Sequence, residues 1–280
     1  MDRTRSVCIA QINYTSRSIR DHLERLKGII RRHRSADLLV LPELILHGHP
    51  SVETPEGFLY RKATVVYGEI SSKLYEHIRS QDARVVFGQI RRKGDGMYNV
   101  ATYVDRDSVQ HYVKTHVHWS EHFVPGNKLV TFQTPLGPIG INVCFDAAFP
   151  EVWRALALKG PELIVNISAV PTEFPSAYMH RRMAGAALAN QLFVVYANRA
   201  GPVFGGRSAV FDPRGERIAT FGLKEEIHTV RLNLDEVEAW RQEEMVWAHR
   251  RPSLYKLVAQ GHRQKPHGAV AHGRGLREAG

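Results

Sequence analysis

The feature that most constrains the fold is the alternation, along almost the whole chain, of short apolar runs with segments of helical spacing. Short apolar runs predict strands at 6–12, 37–41, 84–90, 97–104, 108–113, 128–132, 138–143, 163–167, 193–197, 207–211 and 228–232. Apolar residues spaced three and four apart predict helices at 16–34, 69–80, 150–159 and 176–191. Strands 97–104 and 108–113 flank a short turn, which indicates a β-hairpin. Alternation of this kind is typical of an α/β fold.

The domain organisation follows from where the composition changes. The chain of 280 residues has no internal repeat and no composition break before its last segment, so we predict one domain over residues 1–262. Residues 263–280 are rich in His, Gly, Lys and Arg and contain few apolar residues. We predict that this segment is a basic C-terminal tail, either mobile or packed on a neighbouring subunit.

Composition and charge exclude several classes of protein. No apolar run approaches the roughly 20 residues that span a bilayer, and the N-terminus lacks the apolar stretch of a secretory signal. We therefore predict a cytoplasmic protein with no membrane partner. The net charge of +10 favours anionic partners. The basic residues are scattered, however, and no motif interleaves them with aromatic residues, so we predict no specific nucleic-acid binding.

The two cysteines differ in their sequence surroundings. A disulfide between Cys8 and Cys144 is possible on count alone, although a cytosolic chain of this size does not need one. Cys8 lies inside an apolar strand and is predicted to be a buried, inert thiol. Cys144 follows a predicted strand and is the candidate for a reactive thiol.

Three chemically reactive residues directly follow predicted strands. Glu43 follows strand 37–41, Lys114 follows strand 108–113 and Cys144 follows strand 138–143. In α/β sheets, ligands and catalytic groups gather where strands end and loops begin. A carboxylate, an ammonium and a thiol brought together there are the acid/base, oxyanion stabiliser and nucleophile that acyl transfer requires.

Three longer motifs contain these residues. They are LPELILHGHP around Glu43, YVKTHVHWSEHFVPG around Lys114, and GINVCFDAAFPEVWRALALKGPELIVNISAVP around Cys144. In this order and at these spacings they resemble the motifs of the nitrilase superfamily of carbon–nitrogen hydrolases. The segments ANQLFVVYANRAG, GGRSAVFDPRGE and RRPSLYKL also resemble that family, so the resemblance covers residues 5–257.

The resemblance implies a four-layer α-β-β-α sandwich with the reactive residues at its base. By the same resemblance, Glu43 is the general base and acid, Lys114 stabilises the oxyanion and Cys144 is the nucleophile. Glu121 matches a second acidic residue of such sites, although it could equally be a helix cap or an ion-pair partner of Lys114. The resemblance further implies a homo-oligomer that needs no cofactor and binds no metal.

Other residues of the third motif are assigned supporting roles. The backbone N–H of Phe145 is a candidate oxyanion donor. We expect the remaining polar residues of the motif to organise the loop and helix around Cys144; they are Asp146, Glu151 and Arg154. An ammonium beside a thiol is expected to favour the thiolate.

The substrate class is ranked from the residues around the nucleophile. Phe145 and Asp146 resemble the amidase and carbamoylase branches, whereas nitrilases usually carry Trp-Glu after the cysteine. We therefore rank a small-molecule amide first, an N-carbamoyl amine or amino acid second and a nitrile third. Where many family members carry Arg and Glu in the helix 176–191, this chain has Ala186 and Ala189, which puts the usual ionic contacts of that helix in doubt.

The candidate pocket residues all lie in predicted loops near the motifs, and each of them could equally be a packing residue. They are Phe58, Tyr60, His118, Trp119, Phe145, Ala169, Val170 and Phe174.

Three alternative readings remain open at this point. His116, His118, Glu121 and His122 could form a metal cluster, although nothing else in the chain completes one. A Cys–His dyad of protease type is possible, but the sequence lacks the signatures of known cysteine proteases. A catalytically silent binding protein on the same fold is the third alternative.

Overall fold

The computed structural model describes residues 3–14, 18–49 and 58–257, without the side chains of 58–67. The described strands are β1 Thr4–Gln11, β2 Leu38–Val40, β3 Val85–Lys93, β4 Gly96–Val104, β5 Val109–Val113, β6 Thr131–Thr134, β7 Gly137–Val143, β8 Leu163–Ser168, β9 Phe193–Asn198, β10 Ala209–Phe211, β11 Arg217–Thr220 and β12 Glu226–Asn233. The described helices are α1 Ile19–His33, α2 Phe58–Ser80, α3 Pro150–Ala157, α4 Ser176–Asn190 and α5 Asp235–Glu243, with 3₁₀ turns at Cys144–Ala148 and Pro252–Leu257.

The strands form two six-stranded sheets. The first sheet has the order β12-β1-β2-β3-β4-β5, and the second has the order β11-β10-β9-β8-β7-β6. Strands β1, β2 and β3 are parallel, as are β7, β8 and β9, whereas the outer strands pair antiparallel. Each sheet therefore has a parallel centre, where strand ends and the loops that follow them lie side by side.

Alternation of side chains along β1 divides the core into two parts. Val7 and Ile9 face the second sheet and join a cluster with Ile141 and Val165 from β7 and β8. Cys8 and its alternate neighbours point the other way, into a second cluster that also contains apolar residues of α1 and α2. Because successive strand residues face opposite sides, both faces of the first sheet are buried.

Helices cover the outer faces of both sheets. Leu23 and Leu26 of α1 and Leu74 of α2 pack on the first sheet. On the second sheet α3 contacts β7, and α4 contacts β9 and β10. The layers are therefore helix, sheet, sheet and helix, and the predicted α-β-β-α sandwich is confirmed.

Several predicted boundaries were wrong, each for a physical reason. The predicted helix 69–80 begins at Phe58, and strand 128–132 is instead β6, which pairs with β7 through a turn that places Gly137 at φ 94°. Strand β11 was missed because it is short and mostly exposed. Helix α5 was missed because it buries only Val237 and therefore shows no apolar stripe. The predicted start of α1 at residue 16 lies outside the described residues; Ser18 caps the observed helix by accepting a hydrogen bond from the Asp21 N–H at 3.1 Å.

The chain divides into two compact units, at residues 1–244 and 245–280. The first unit contains both sheets and all five helices described above. The described part of the second unit contains the 3₁₀ turn Pro252–Leu257. The predicted tail 263–280 lies outside the described residues, so the proposed domain boundary stays a prediction. No helix in the described part of the chain has both the length and the apolar content of a membrane span.

Candidate functional site

Lys114 lies at the centre of a buried ionic cluster where β5 ends. Its Nζ donates to Glu43 Oε1 at 3.0 Å and to both carboxylate oxygens of Glu121, at 2.8 and 2.9 Å. The lysine and Glu43 are almost fully buried. Three of the predicted site residues therefore meet at one ammonium group, although Glu43 lies 71 positions and Glu121 lies 7 positions from Lys114 in the sequence.

Glu43 follows β2, and its two carboxylate oxygens differ in environment. Oε1 accepts hydrogen bonds from Lys114 and, at 2.7 Å, from the side-chain amide of Asn99. Oε2 is buried and has no hydrogen-bond partner among the residues that the structure describes. Gly88 permits the close approach of this segment, because a Cβ there would lie 2.2 Å from the Leu44 nitrogen. The fold thus fixes one oxygen and leaves the other available.

Cys144 lies at the end of β7, in the left-handed conformation at φ 48°. It is the first residue of the 3₁₀ turn Cys144–Ala148 and keeps a partly exposed surface. The backbone N–H of Ala169 hydrogen-bonds to its sulfur. A left-handed non-glycine residue costs free energy that neighbouring contacts must offset.

Electrostatics at the thiol contradict the expected thiolate. Burial and the negative charge of Glu43 raise the Cys144 pKa well above its ordinary value, and Lys114 offsets this only in part. Glu121 acts in the same direction as Glu43. The resting form of Cys144 is therefore the neutral thiol, because two carboxylates face one ammonium.

The three charged groups of the cluster shift one another's pKa. Burial alone would raise the pKa of Glu43, but the Lys114 charge and the hydrogen bonds from Lys114 and Asn99 hold it below its ordinary value. Burial raises the pKa of Glu121 to about 6 despite its contact with Lys114. Burial would lower the pKa of Lys114, but the charges of Glu43 and Glu121 raise it overall. At neutral pH the cluster therefore carries Lys114 protonated and Glu43 ionised.

Asp146 connects the loop of the nucleophile to the loop of the lysine. Its Oδ2 accepts from the Val143 N–H at 2.9 Å and the Tyr112 hydroxyl at 2.8 Å. Its Oδ1 accepts from the His116 N–H at 2.8 Å and the Thr115 hydroxyl at 3.0 Å, and lies 3.0 Å from His116 Nδ1. This fully buried carboxylate joins the residues that flank Cys144 and Lys114.

Glu151 and Arg154 do not lie in the cluster around Cys144. Glu151 is exposed in the first turn of α3, where its charge interacts favourably with the helix dipole. Arg154 donates to the backbone carbonyl of Ala189 on α4. Arg154 therefore joins α3, the helix that follows the turn of Cys144, to α4. That both residues organise the loop and helix around Cys144 stays a prediction. Ala189, like Ala186, presents no ionic group at this contact.

Aromatic side chains lie beside Cys144. The Phe145 ring contacts His118 and Trp119 edge-on, with centroids 5.0 and 5.6 Å apart. His118 and Trp119 are 3.7 Å apart between centroids, and Trp119 is 78% exposed. Burial and the nearby Lys114 charge lower the pKa of His118, so its ring is neutral at neutral pH.

The other predicted pocket residues have mixed locations. Ala169 and Val170 are buried in the loop after β8, and the Val170 N–H donates to Asn198 Oδ1 at 2.8 Å. Phe174 packs against Tyr178 and Arg182 of α4. The side chains of Phe58 and Tyr60 lie outside the described residues.

The donors of the proposed metal cluster have other partners. His116 contacts Asp146 and stacks on Phe149 at 3.9 Å between centroids, and Glu121 binds Lys114. His118 Nδ1 lies 2.7 Å from the Ser120 hydroxyl. In the part of the chain that the structure describes, no three His, Cys, Asp or Glu side chains are arranged to hold a metal ion. Cys8 and Cys144 are both free, and burial raises the pKa of Cys8.

Two residues near Glu43 escaped the sequence analysis. Asn99 lies inside β4 and is fully buried, and a polar residue within an apolar strand was the signal that could have revealed it. His49 is buried, and a proton on its ring would lower the pKa of Glu43. The sequence analysis assigned it no role toward Glu43.

Comparison with known proteins agrees with this geometry. The chain is 32% identical over 215 residues to an (R)-stereoselective amidase of Pseudomonas sp., covering 74% of this chain and 77% of that protein. It is 32% identical over 201 residues to a nitrilase of Pyrococcus abyssi, covering 69% of this chain and 75% of that protein. The structure matches a carbon–nitrogen hydrolase from Helicobacter pylori G27 with a TM-score of 0.84 and 22% identity, covering 93% and 99% of the two chains. The family model for carbon–nitrogen hydrolases matches residues 6–242, and the chain belongs to that family.

Proposed function

We propose that the protein hydrolyses a small-molecule amide to a carboxylic acid and ammonia through a thioester on Cys144. The observation that carries this proposal is the asymmetry of the Glu43 carboxylate. Its Oε1 is held by Lys114 and Asn99, while Oε2 is buried without a partner among the described residues. A fixed carboxylate with one free oxygen, whose charge acts on a neutral thiol, is arranged to accept a proton.

In the first half-reaction the thiol proton moves to Glu43 as the sulfur attacks the amide carbon. The carbon–oxygen double bond becomes an oxyanion, which the Lys114 ammonium and the backbone N–H of Phe145 stabilise. Glu43 then passes its proton to the leaving nitrogen, the carbon–nitrogen bond breaks and ammonia departs. The acyl group remains on Cys144 as a thioester.

In the second half-reaction water replaces ammonia. Glu43 takes a proton from water, the resulting oxygen attacks the thioester carbon, and the same oxyanion site stabilises the intermediate. The carbon–sulfur bond breaks, the sulfur recovers its proton and the carboxylic acid leaves. Amide and water are consumed, acid and ammonia are produced, and the enzyme returns to its resting form.

Glu121 and Asp146 support these steps without changing covalently. Glu121 holds the Lys114 ammonium in place through two hydrogen bonds. Asp146 holds the turn that carries Cys144 against the loop after β5. Both roles place the charged and nucleophilic groups in one geometry before substrate binds.

The test is ammonia release from a panel of primary amides, ω-amides, N-carbamoyl amino acids and nitriles. We expect release from amides by the wild type and none from Cys144→Ala. Cys8→Ala is the matched control, because it removes the other thiol from the core, and it should retain activity. Release only from N-carbamoyl compounds or only from nitriles would replace the amide as substrate class. Release by Cys144→Ala at the wild-type rate would refute the proposed nucleophile.

We also propose that the chain forms a homo-oligomer. Leu158 and Leu188 lie on the helical layer over the second sheet and are 51% and 45% exposed, which supports a contact on that face. Light scattering on the wild type and on Leu188→Glu tests this proposal. A wild type of monomer mass would refute it.

A further inference from the structure

The loop after β5 holds an exposed tryptophan within two residues of the ionic cluster. The Glu121 N–H donates to the His118 carbonyl at 2.9 Å, which closes a turn with Trp119 and Ser120 at its tip. The Glu121 side chain at the end of this turn accepts two hydrogen bonds from Lys114. Because Glu121 is fixed at the cluster, the position of Trp119 is fixed relative to Lys114.

The indole ring also has a fixed contact with the residue after the nucleophile. Phe145 follows Cys144 directly, and its ring meets Trp119 edge-on. His118 contacts both rings, with centroids 3.7 Å from Trp119 and 5.0 Å from Phe145. Trp119 is nonetheless 78% exposed, although aromatic side chains usually bury most of their large apolar surface. The aromatic cluster thus exposes an indole ring that contacts Phe145, the residue directly after Cys144.

The charge of the cluster selects what can pack on this face. The charges that act on His118 are those of Lys114 and Glu43, and the His118 ring is neutral at neutral pH. Glu43 and Glu121 together carry one more negative charge than Lys114 offsets. A substrate carboxylate near the indole would therefore be repelled, whereas an uncharged aromatic or apolar group would gain contact area and ring stacking.

We propose that Trp119, with His118 and Phe145, forms an aromatic subsite that binds an uncharged aromatic or apolar side group of the amide substrate. This inference rests on the proposed amide hydrolysis and narrows it to one substrate class. Primary amides with a phenyl or similar group a few bonds from the carbonyl are the preferred substrates. ω-Amides that carry a free carboxylate are poor substrates.

The experiment compares 3-phenylpropionamide with propionamide and with succinamate, the monoamide of succinic acid. For the wild type we expect the highest kcat/KM with the phenyl compound and the lowest with succinamate. Trp119→Leu should lower the ratio of kcat/KM for the phenyl compound to that for propionamide by about tenfold, and Trp119→Phe should restore most of it. Leu223→Ala changes another exposed apolar side chain, in the loop between β11 and β12, and should leave the ratio unchanged.

Two results would overturn the subsite. One is a ratio of kcat/KM for the phenyl compound to that for propionamide that is the same in Trp119→Leu as in the wild type. If the wild type hydrolyses propionamide, this result refutes the subsite and leaves the proposed amidase function standing. The other is a change of oligomeric mass in Trp119→Leu, measured by light scattering, which would show that a second copy covers the indole. If the wild type hydrolyses no amide, the proposed function fails. Calorimetric binding of 3-phenylpropionamide to Cys144→Ala, with and without Trp119→Leu, then still tests the subsite, and equal Kd values would refute it.

Discussion

Replacing Glu43 by Gln should have opposite effects on two reactions of the same sulfur. Hydrolysis requires the carboxylate to accept and return a proton, so we expect amide turnover to fall by about 10²–10⁴-fold. Alkylation by iodoacetamide requires only the thiolate, and the Glu43 charge is one of the causes that raise the Cys144 pKa. Glu43→Gln removes that charge, retains the shape of the side chain and leaves Lys114 in place. Alkylation should therefore become faster.

The size of this effect follows from Coulomb's law. Charges that shift a pKa act over roughly 4–6 Å, and at an effective dielectric constant of about 20 a unit charge at that range contributes roughly 3–4 kcal/mol. A lower pKa increases the fraction of Cys144 that is thiolate but makes each thiolate a weaker nucleophile, with a Brønsted coefficient of about 0.4–0.5. The alkylation rate therefore rises less than the thiolate fraction does. We expect alkylation of Cys144 at pH 7–8 to accelerate by about tenfold or more.

The assay is intact-protein mass spectrometry in a Cys8→Ala background, so that each adduct reports on Cys144. Rates are measured between pH 6 and 10 for the parent, for Glu43→Gln and for Glu121→Gln. Glu121→Gln should accelerate alkylation less, because the Glu121 charge raises the Cys144 pKa less than the Glu43 charge does. Alkylation that slows or stays unchanged in Glu43→Gln would refute the reasoning that this carboxylate opposes the thiolate.

Three further predictions concern the free energy of unfolding, measured by urea denaturation. Asp146→Asn should lower it by about 2–4 kcal/mol, because a buried charged acceptor with several donors is lost; a loss below about 0.5 kcal/mol would contradict this. Lys114→Ala should lower it by about 3–5 kcal/mol, because Glu43 and Glu121 then face each other unpaired; unchanged stability would contradict the ion cluster. Burial lowers the pKa of His22 to about 4, whereas an unfolded chain keeps it at about 6.5. Between these pH values the unfolded state binds one more proton than the folded state, so the free energy of unfolding should fall by about 3 kcal/mol as pH falls from about 6.5 to 4. Glu121, with its pKa raised to about 6, acts in the opposite direction. His22→Gln should reduce the fall, and a variant that loses as much stability as the wild type would contradict the assignment to His22.

The four layers followed from the family resemblance, whereas the contact between Glu43 and Lys114 followed from their positions directly after strands. Strands in an α/β fold end at a common edge of a sheet, so residues that directly follow strands meet there. Glu43 and Lys114, 71 positions apart, form a hydrogen bond at 3.0 Å. Strand β11 and helix α5 showed no regular spacing of apolar residues, because most of their side chains face solvent. The spacing of apolar residues reflects which face of an element is buried, so an element with little buried surface is hard to predict from the sequence.

Partners that depend on three-dimensional contact could not be predicted in the same way. Asn99 binds Glu43 from the middle of β4, and only the packing of β4 beside β3 brings its amide to the carboxylate. Arg154 belongs to the motif of the nucleophile but binds the carbonyl of Ala189. Proximity in sequence placed Arg154 near Cys144, whereas the direction of its side chain on α3 carries it to the neighbouring helix.

The protonation state of the thiol shows why counting neighbouring residue types is insufficient. One lysine beside a cysteine predicts a thiolate, but Lys114 already donates to Glu43 and Glu121, so much of its charge is compensated before it acts on sulfur. Burial then favours the neutral thiol. In the proposed reaction the neutral thiol must lose its proton during attack, and we assign its acceptor to Glu43 Oε2, which has no hydrogen-bond partner among the described residues. In the mechanism that we propose, the carboxylate that suppresses the thiolate at rest is thus the group that generates it when an amide binds.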